Sequence, residues 1–371
     1  MQIVEVQTGR SANKRAQCAS IAFFAGLNWL FFGGGYLEPG GDARAANLEI
    51  IVPAYFYPSE GSDWNGLNAA VGEVPITAIM NPGNGPGNSL DGNYVSAVNA
   101  FRAAGGRVIG YVHTSYTARA LQQVLDDIDR YDDWYSIDGI FVDEMANTGP
   151  AERLDYYLDI YNHVKSIDPN WEVMGNPGTT TIEQYLTWPT ADRLMVFENI
   201  GSNYPGYTPS SWNFNYDSSS FVHLVHTEPS SANMLSHLAL AVQRNAGGIY
   251  VTDDVLANPW DRLPAYWNTL VDAVATINAD YNRDGAIDAA DYVLWRKSLG
   301  QSGPGLDADG NGDRIVDDDD FVFWQQRFGL IAGGAGAVQL AGSAVPEPAS
   351  MIFGAMMFGP FFATHRSPTR R

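Results

Sequence analysis

Two adjacent carboxylates close a short apolar run in this chain, Ile137-Asp138-Gly139-Ile140-Phe141-Val142-Asp143-Glu144. Its β-branched and aromatic residues, entered through a turn-like Ser136-Ile137-Asp138-Gly139, predict a strand buried on both faces, as in a parallel sheet. Acids at the C-terminal end of such a strand stand where a β/α barrel keeps its catalytic groups. The alternative is an N-cap, because an aspartate after a strand often starts the next helix. A third acid, Glu198, ends another apolar run, Leu194-Met195-Val196-Phe197. Two facing carboxylates can break a glycosidic bond: one protonates the leaving oxygen, the other attacks the anomeric carbon or activates water. For that they need different environments, so that one stays protonated near neutral pH. On a continuous strand Asp143 and Glu144 point to opposite faces, so only one can enter a barrel mouth. The expectation is that Glu198 and one of Asp143 and Glu144 are the working acids. The remaining one positions substrate or tunes a pKa. The residues alone do not say which is acid and which is nucleophile or base.

The elements that must position these groups alternate between apolar runs and helical periods from Leu48 to about Ile277. Predicted strands are Leu48–Tyr57, Ile76–Asn81, Arg107–Thr114, Ile137–Glu144, Trp171–Asn176, Arg193–Glu198, Phe221–Thr227 and Gly247–Asp253. Amphipathic segments such as Tyr94–Ala104, Ala118–Tyr131, Pro150–Ile167 and Ser231–Arg244 lie between them. Such alternation implies right-handed crossovers and a parallel sheet. Eight units in about 230 residues predict an α/β fold, a (β/α)8 TIM-like barrel over 46–277. An open doubly wound sheet would want a Gly-rich phosphate turn after its first strand, where this chain has Tyr55-Phe56-Tyr57-Pro58.

The ends of the predicted strands carry Tyr55 and Tyr57, Asn81, His113 and Tyr116, Asn176, Asn199, His226 and Glu228, and Asp253 and Asp254. A ring of hydroxyl partners, aromatic faces and acids suits a sugar cleft. Tyr55, Asn81, His113, Tyr116 and Asn176 are its candidate substrate contacts, with His113 also readable as a wall residue. The glycines of Gly83-Asn84-Gly85-Pro86-Gly87 lack the Lys-Ser/Thr that completes a phosphate cradle. No His-x-His or His-Glu-x-x-His spacing supports a metal in the barrel.

From about Asn278 the pattern changes. Asp280, Asn282, Asp284, Asp288 and Asp291 place oxygen side chains at positions 1, 3, 5, 9 and 12 of a loop. Gly285 sits at the sharp turn, and the Ala286 carbonyl falls at position 7. This is the chemistry of a calcium loop. It returns as Asp309, Asn311, Asp313, Ile315, Asp317 and Asp320, and each loop runs into a matching helix, Asp291-Tyr-Val-Leu-Trp295 and Asp320-Phe-Val-Phe-Trp324. An acidic solvated run would not repeat its tryptophan in register. Arg314 stands where the second loop should have glycine, at a site that wants positive φ. That costs an L residue about 1–2 kcal/mol, so the second site should be the weaker. Calcium is the expected structural ion of this small all-α module at 278–329, with no cofactor for catalysis.

The formal charge of −21 argues against nucleic acid, whose binders need basic patches. Ten Trp and nineteen Tyr suit sugar binding, though a large core also uses them. The single cysteine, Cys18, excludes an internal disulfide and a Cys-based zinc site. Residues 1–45 read as an export signal: Lys14 and Arg15, an apolar stretch from Ala19 to Phe32, then Ala43-Arg44-Ala45. Residues 330–344 are a Gly/Ala-rich linker. The 345–371 tail has Val345-Pro346-Glu347-Pro348, a short apolar run broken by Gly354, Gly359 and Pro360, and terminal arginines. It reads as a transient membrane hold for processing or as a permanent tail anchor.

Four motifs in order carry a resemblance: Ile51-Val52-Pro53-Ala54-Tyr55-Phe56-Tyr57-Pro58, Met80-Asn81-Pro82-Gly83-Asn84-Gly85-Pro86-Gly87, Gly110-Tyr111-Val112-His113-Thr114 and Gly139-Ile140-Phe141-Val142-Asp143-Glu144. Together they resemble the spherulin-4 family. The resemblance implies a barrel glycoside hydrolase, endo-acting on α-1,4-linked N-acetylgalactosamine in the exopolysaccharide galactosaminogalactan. The family's Asp-Glu pair then maps onto Asp143 and Glu144, and its downstream Glu onto Glu198. The loop–helix pair resembles a type I dockerin, which implies a cohesin-type partner. The tail resembles a PEP-CTERM sorting signal, which implies bacterial sorting machinery and a secreted or surface location. A carbohydrate-binding barrel without catalysis, attached through the dockerin-like module, is the rival reading.

Overall fold

Eight short strands, each walled by apolar side chains on both faces, pair in chain order until the last meets the first. The structure is a computed structural model that describes residues 47–332 apart from Pro304. The predicted export signal, the sorting tail and nearly all of the linker lie outside the described residues. The strands are β1 (Glu49–Ala54), β2 (Ile76–Met80), β3 (Arg107–His113), β4 (Gly139–Asp143), β5 (Glu172–Gly175), β6 (Arg193–Ile200), β7 (Phe221–His226) and β8 (Gly248–Val251). All neighbours are parallel, and β1 pairs β8 through Glu49↔Gly248 and Ile50↔Ile249 to close the barrel. This is the predicted (β/α)8 architecture. Helices α1 (Trp64–Ala70), α2 (Gly92–Ala103), α3 (Leu121–Trp134), α4 (Ala151–Ile167), α5 (Gln184–Thr187) and α6 (Ser231–Gln243) make six of the seven crossovers; three short 3-10 turns join β6 to β7, and α7 (Trp267–Ala279) follows β8.

The β-branched strand residues explain the closure. Ile50, Ile51, Val52, Ile79, Val108, Ile109, Val112, Val173, Val222 and Val225 are fully buried. Each such side chain contributes about 1.5–3 kcal/mol of burial. Strand β4 can press against β5 because it starts at Gly139, where a Cβ would lie 2.2 Å from the Glu172 carbonyl oxygen. Charged side chains plug the end where strands begin. Arg193 bonds Glu49 at 2.6 Å and stands 3.6 Å from Glu172, and Arg107 bonds Glu172 at 2.8 Å. Chemistry is therefore left to the opposite, C-terminal end.

Two further helices, α8 (Ala289–Ser298) and α9 (Asp318–Arg327), each follow one acidic loop. Helix α7 runs two residues past the predicted boundary at 277. The repeats lock reciprocally: the Trp295 indole donates to the Asp317 carbonyl at 2.7 Å, and the Trp324 indole to the Asp288 carbonyl at 3.1 Å. The pair packs on the end of the barrel where strands begin. The Asn47 amide donates to the Asp309 carbonyl, Arg327 pairs with Glu73 at 2.9 Å, and a Cβ on Gly312 would lie 2.7 Å from Pro75. No helix among the described residues is long and apolar enough to cross a membrane.

Candidate active site

Strand β4 ends at Asp143, one residue earlier than predicted, because Glu144 turns into the left-handed region at φ 51°. The two acids are therefore not alternate residues of one strand. Nor is Asp143 a helix cap: α4 begins at Ala151, and its N-cap is Pro150. From β6, Glu198 faces Asp143 across the mouth. Asn176, just beyond β5, stands between them. Its Nδ2 donates to Asp143 Oδ1 and to Glu198 Oε2, each at 2.7 Å. These two oxygens can lie no farther apart than twice that distance.

Burial pushes the Asp143 carboxyl up, opposed by the Glu144 N–H, the Tyr111 hydroxyl and the Asn176 amide, while the Glu144 charge adds a smaller upward push. Burial and the Asp143 charge push Glu198 further, to about 7, against the Asn176 bond. Asp143 has three supports and Glu198 one, which gives the pair unlike environments.

A cleft of about 480 Å³ opens beside Glu198. Tyr55, Asn81, Asn84, Tyr111, His226 and the loop Leu256–Trp260 line it. Tyr55 meets Tyr111 edge to face at 5.6 Å. Asn81 both lines the cleft and shapes the glycine loop, its Oδ1 accepting the Gly85 N–H at 2.9 Å. His113 stacks on Tyr111 and has Asn84 at 3.4 Å, as a wall residue would. Tyr116 is 61% exposed, and its N–H donates to the Glu144 carbonyl at 2.8 Å. Asn176 is 6% exposed and occupied by the two acids.

A family model described as Spherulation-specific family 4 matches residues 49–274, well over half of the chain. The chain belongs to this spherulin-4 family. Spherulin-4 of Physarum polycephalum is 34% identical over 249 residues, covering 62% of this chain and 71% of that protein. Among solved structures, Aspergillus clavatus Sph3 in complex with GalNAc is similar at 26% identity with a TM-score of 0.56. That match covers 62% of this chain and 98% of Sph3.

The spherulin-4 barrel does not use every polar residue at its strand ends. Glu228 is buried against His237 at 3.0 Å and takes the Ser230 N–H at the start of α6. Asp253 and Asp254 are occupied by Arg262, at 2.8 and 3.4 Å. Asn199 bonds the Ile200 N–H and Asn203. Conversely, Tyr111 and Trp260 belong to the site although the sequence reading passed over them. Tyr111 was findable, two residues before His113 on the same face of β3. Trp260 lies on an irregular loop, and periodicity says nothing there.

The family match ends before the two acidic loops. Asp280 takes the Asp284 and Gly285 N–H groups at 3.2 and 2.8 Å; Asp309 takes those of Gly312 and Arg314, each at 2.9 Å. Gly285 has φ 92°, and Arg314 φ 71° at the matching place, as its position in the repeat predicts. Asp280, Asp291, Asp309 and Asp320 are all buried. Burial with neighbouring carboxylates raises Asp309 to about 6 and Asp320 to about 7. Among the described residues no three His, Cys, Asp or Glu side chains close on one point. A calcium loop also draws on Asn282, Asn311 and the carbonyls of Ala286 and Ile315. This set of hard oxygens, four of them on buried aspartates, fits calcium, which would neutralise the clustered charge.

Proposed function

We propose that this protein is a glycoside hydrolase cutting an amino-sugar polysaccharide, endo-acting on α-1,4-linked N-acetylgalactosamine. The observation that carries the reading is one amide bridging two carboxylates across the barrel mouth. Membership of the spherulin-4 family and the likeness to a GalNAc-bound protein support it. Glu198, protonated up to about pH 7, gives its proton to the leaving oxygen. Asp143, ionised, attacks the anomeric carbon. Glu198, now a base, takes a proton from the water that releases the sugar. The short separation favours this retaining course, since inverting pairs stand about 6.5–9.5 Å apart to admit water.

The test is product analysis after digestion of purified α-1,4-linked N-acetylgalactosamine polymer. Oligosaccharides should appear. Glu198→Gln should lower kcat about 10²–10⁴-fold, the usual contribution of a positioned acid. Wild-type turnover in Asp143→Asn, Glu144→Gln and Glu198→Gln alike rules the assignment out. The same proposal places the protein outside the cell or on its surface. It takes calcium in the paired loops for structure and none for catalysis. A cohesin-type partner at the loop–helix pair and sorting through the tail complete it. Calorimetry without calcium uptake, or an intact C-terminus on the exported protein, removes those parts separately.

A further inference from the structure

Thr114 is fully buried and takes none of the roles above. It follows β3 and faces the turn that begins at Asp143. Its N–H donates to the Asp143 carbonyl at 3.0 Å. Its hydroxyl donates to the Glu144 carbonyl at 2.8 Å and lies 3.2 Å from that of Asp143. Beyond it the turn stays tied. The Met145 N–H donates to the Asn176 carbonyl at 3.0 Å, and the Ala146 N–H to the Tyr157 hydroxyl at 2.7 Å. The Tyr157 hydroxyl lies 3.4 Å from Thr114 Oγ1, so α4 and β3 grip the same turn.

The held conformation is a strained one. Glu144 has φ 51°, and opposite it Ser115, Tyr116 and Thr117 have φ 48°, 57° and 77°. Left-handed backbone disfavours L residues, and it persists where the surroundings over-determine it. The Glu144 carbonyl receives two donors, the Thr114 hydroxyl and, from this left-handed segment, the Tyr116 N–H. In return the Glu144 N–H faces the Asp143 carboxylate and helps to hold it down.

We propose that Thr114 is a positioning residue: its hydroxyl fixes Glu144 in the left-handed turn, and the turn aims the Glu144 N–H and the Asp143 carboxylate. This rests on the hydrolase reading. It assigns Glu144 a backbone duty separate from its carboxylate. The other titratable groups facing Asp143 are Tyr55 just past β1, Tyr111 and the register partner His113 from β3, and Glu198 from β6. None of these touches the Thr114 hydroxyl in the structure.

The experiment is the pH profile of polymer cleavage by Thr114→Val and Thr114→Ser, with a carboxyl ¹³C titration of Asp143 in the same proteins. Valine keeps the shape and removes the donor. It should lower kcat about 10- to 100-fold with little change in KM. It should also move the acid limb and the Asp143 titration up by about half a unit or more. Serine should restore both. Glu144→Gly and Glu144→Val form a second pair that is independent of how well Thr114→Val folds. Both lose the carboxylate, but only glycine enters the left-handed region freely, so valine should lose much more activity and raise Asp143. Equal behaviour of glycine and valine at 144, or an unmoved Asp143 titration in folded Thr114→Val, overturns the proposal. An Asp143 titration that moves in the variants as described, in a protein whose wild type cleaves no polymer, leaves the positioning intact and condemns the hydrolase reading instead.

Discussion

Removing the amide that bridges the two acids is the sharpest perturbation of the site. In Asn176→Ala, Asp143 and Glu198 each lose a donor at 2.7 Å. A hydrogen bond to a charged group is worth about 1.5–3 kcal/mol, and one pKa unit corresponds to about 1.4 kcal/mol. Asp143 should therefore rise by about one to two units. Glu198, already raised to about 7, moves in the same direction. The sign follows from the roles. Asp143 must be ionised and Glu198 protonated, so kcat/KM climbs through the lower value and falls through the upper one. Both limbs should move to higher pH, with an alkaline shift of the optimum. Activity at the new optimum falls as well, because the carboxylates lose their common tether. The assay is reducing-end release from N-acetylgalactosamine polymer between about pH 4 and 9, with circular dichroism to confirm folding. A folded Asn176→Ala enzyme with both limbs at their wild-type positions refutes the reasoning.

Three other outcomes follow from the same geometry. Glu198 is raised in the folded protein, so its effect on stability runs against its use in catalysis: it favours the fold below about pH 4.5 and opposes it as pH rises through about 7. Glu198→Gln should thus be more stable than wild type at pH 8, by on the order of 3 kcal/mol at most, and nearly equal at pH 4, as read by denaturant melts. NMR of early products should show the anomeric configuration of the substrate retained; inversion contradicts the close pair. In the second loop, Arg314→Gly should relieve left-handed strain worth about 1–2 kcal/mol and raise the melting temperature in calcium by about 2–4 °C or more. A lower melting temperature would mean that Arg314's attraction to Glu172, which its charge helps keep ionised, outweighs that strain.

The barrel was legible in the sequence because each strand is buried on both faces and its β-branched run stands out between helical periods. Glu198 was legible for the same reason, as the first polar side chain after Leu194–Phe197. The local geometry of Asp143 and Glu144 was not. Glutamate has no preference for φ near 51°, and the donors that hold it there, Thr114 and Tyr116, come from another strand end. Glu228, Asp253 and Asp254 look like equal members of the ring until His237 and Arg262 are seen to occupy them. No periodicity announces the wall made by Leu256–Trp260, since loop conformation depends on what it packs against. The two acidic loops were legible down to the sign of φ at Arg314, because a duplicated pattern carries its own reference copy.

Both loop–helix units are seated where the strands start, while the cleft opens where they finish. The partner proposed for the module would therefore hold the protein by its back. Under the proposed function, a long polymer would cross the front without meeting that partner, so that cutting and anchoring would not compete. A fusion or immobilisation made through the module should keep full access to insoluble matrix, whereas one made through the β8–α7 loop should block it.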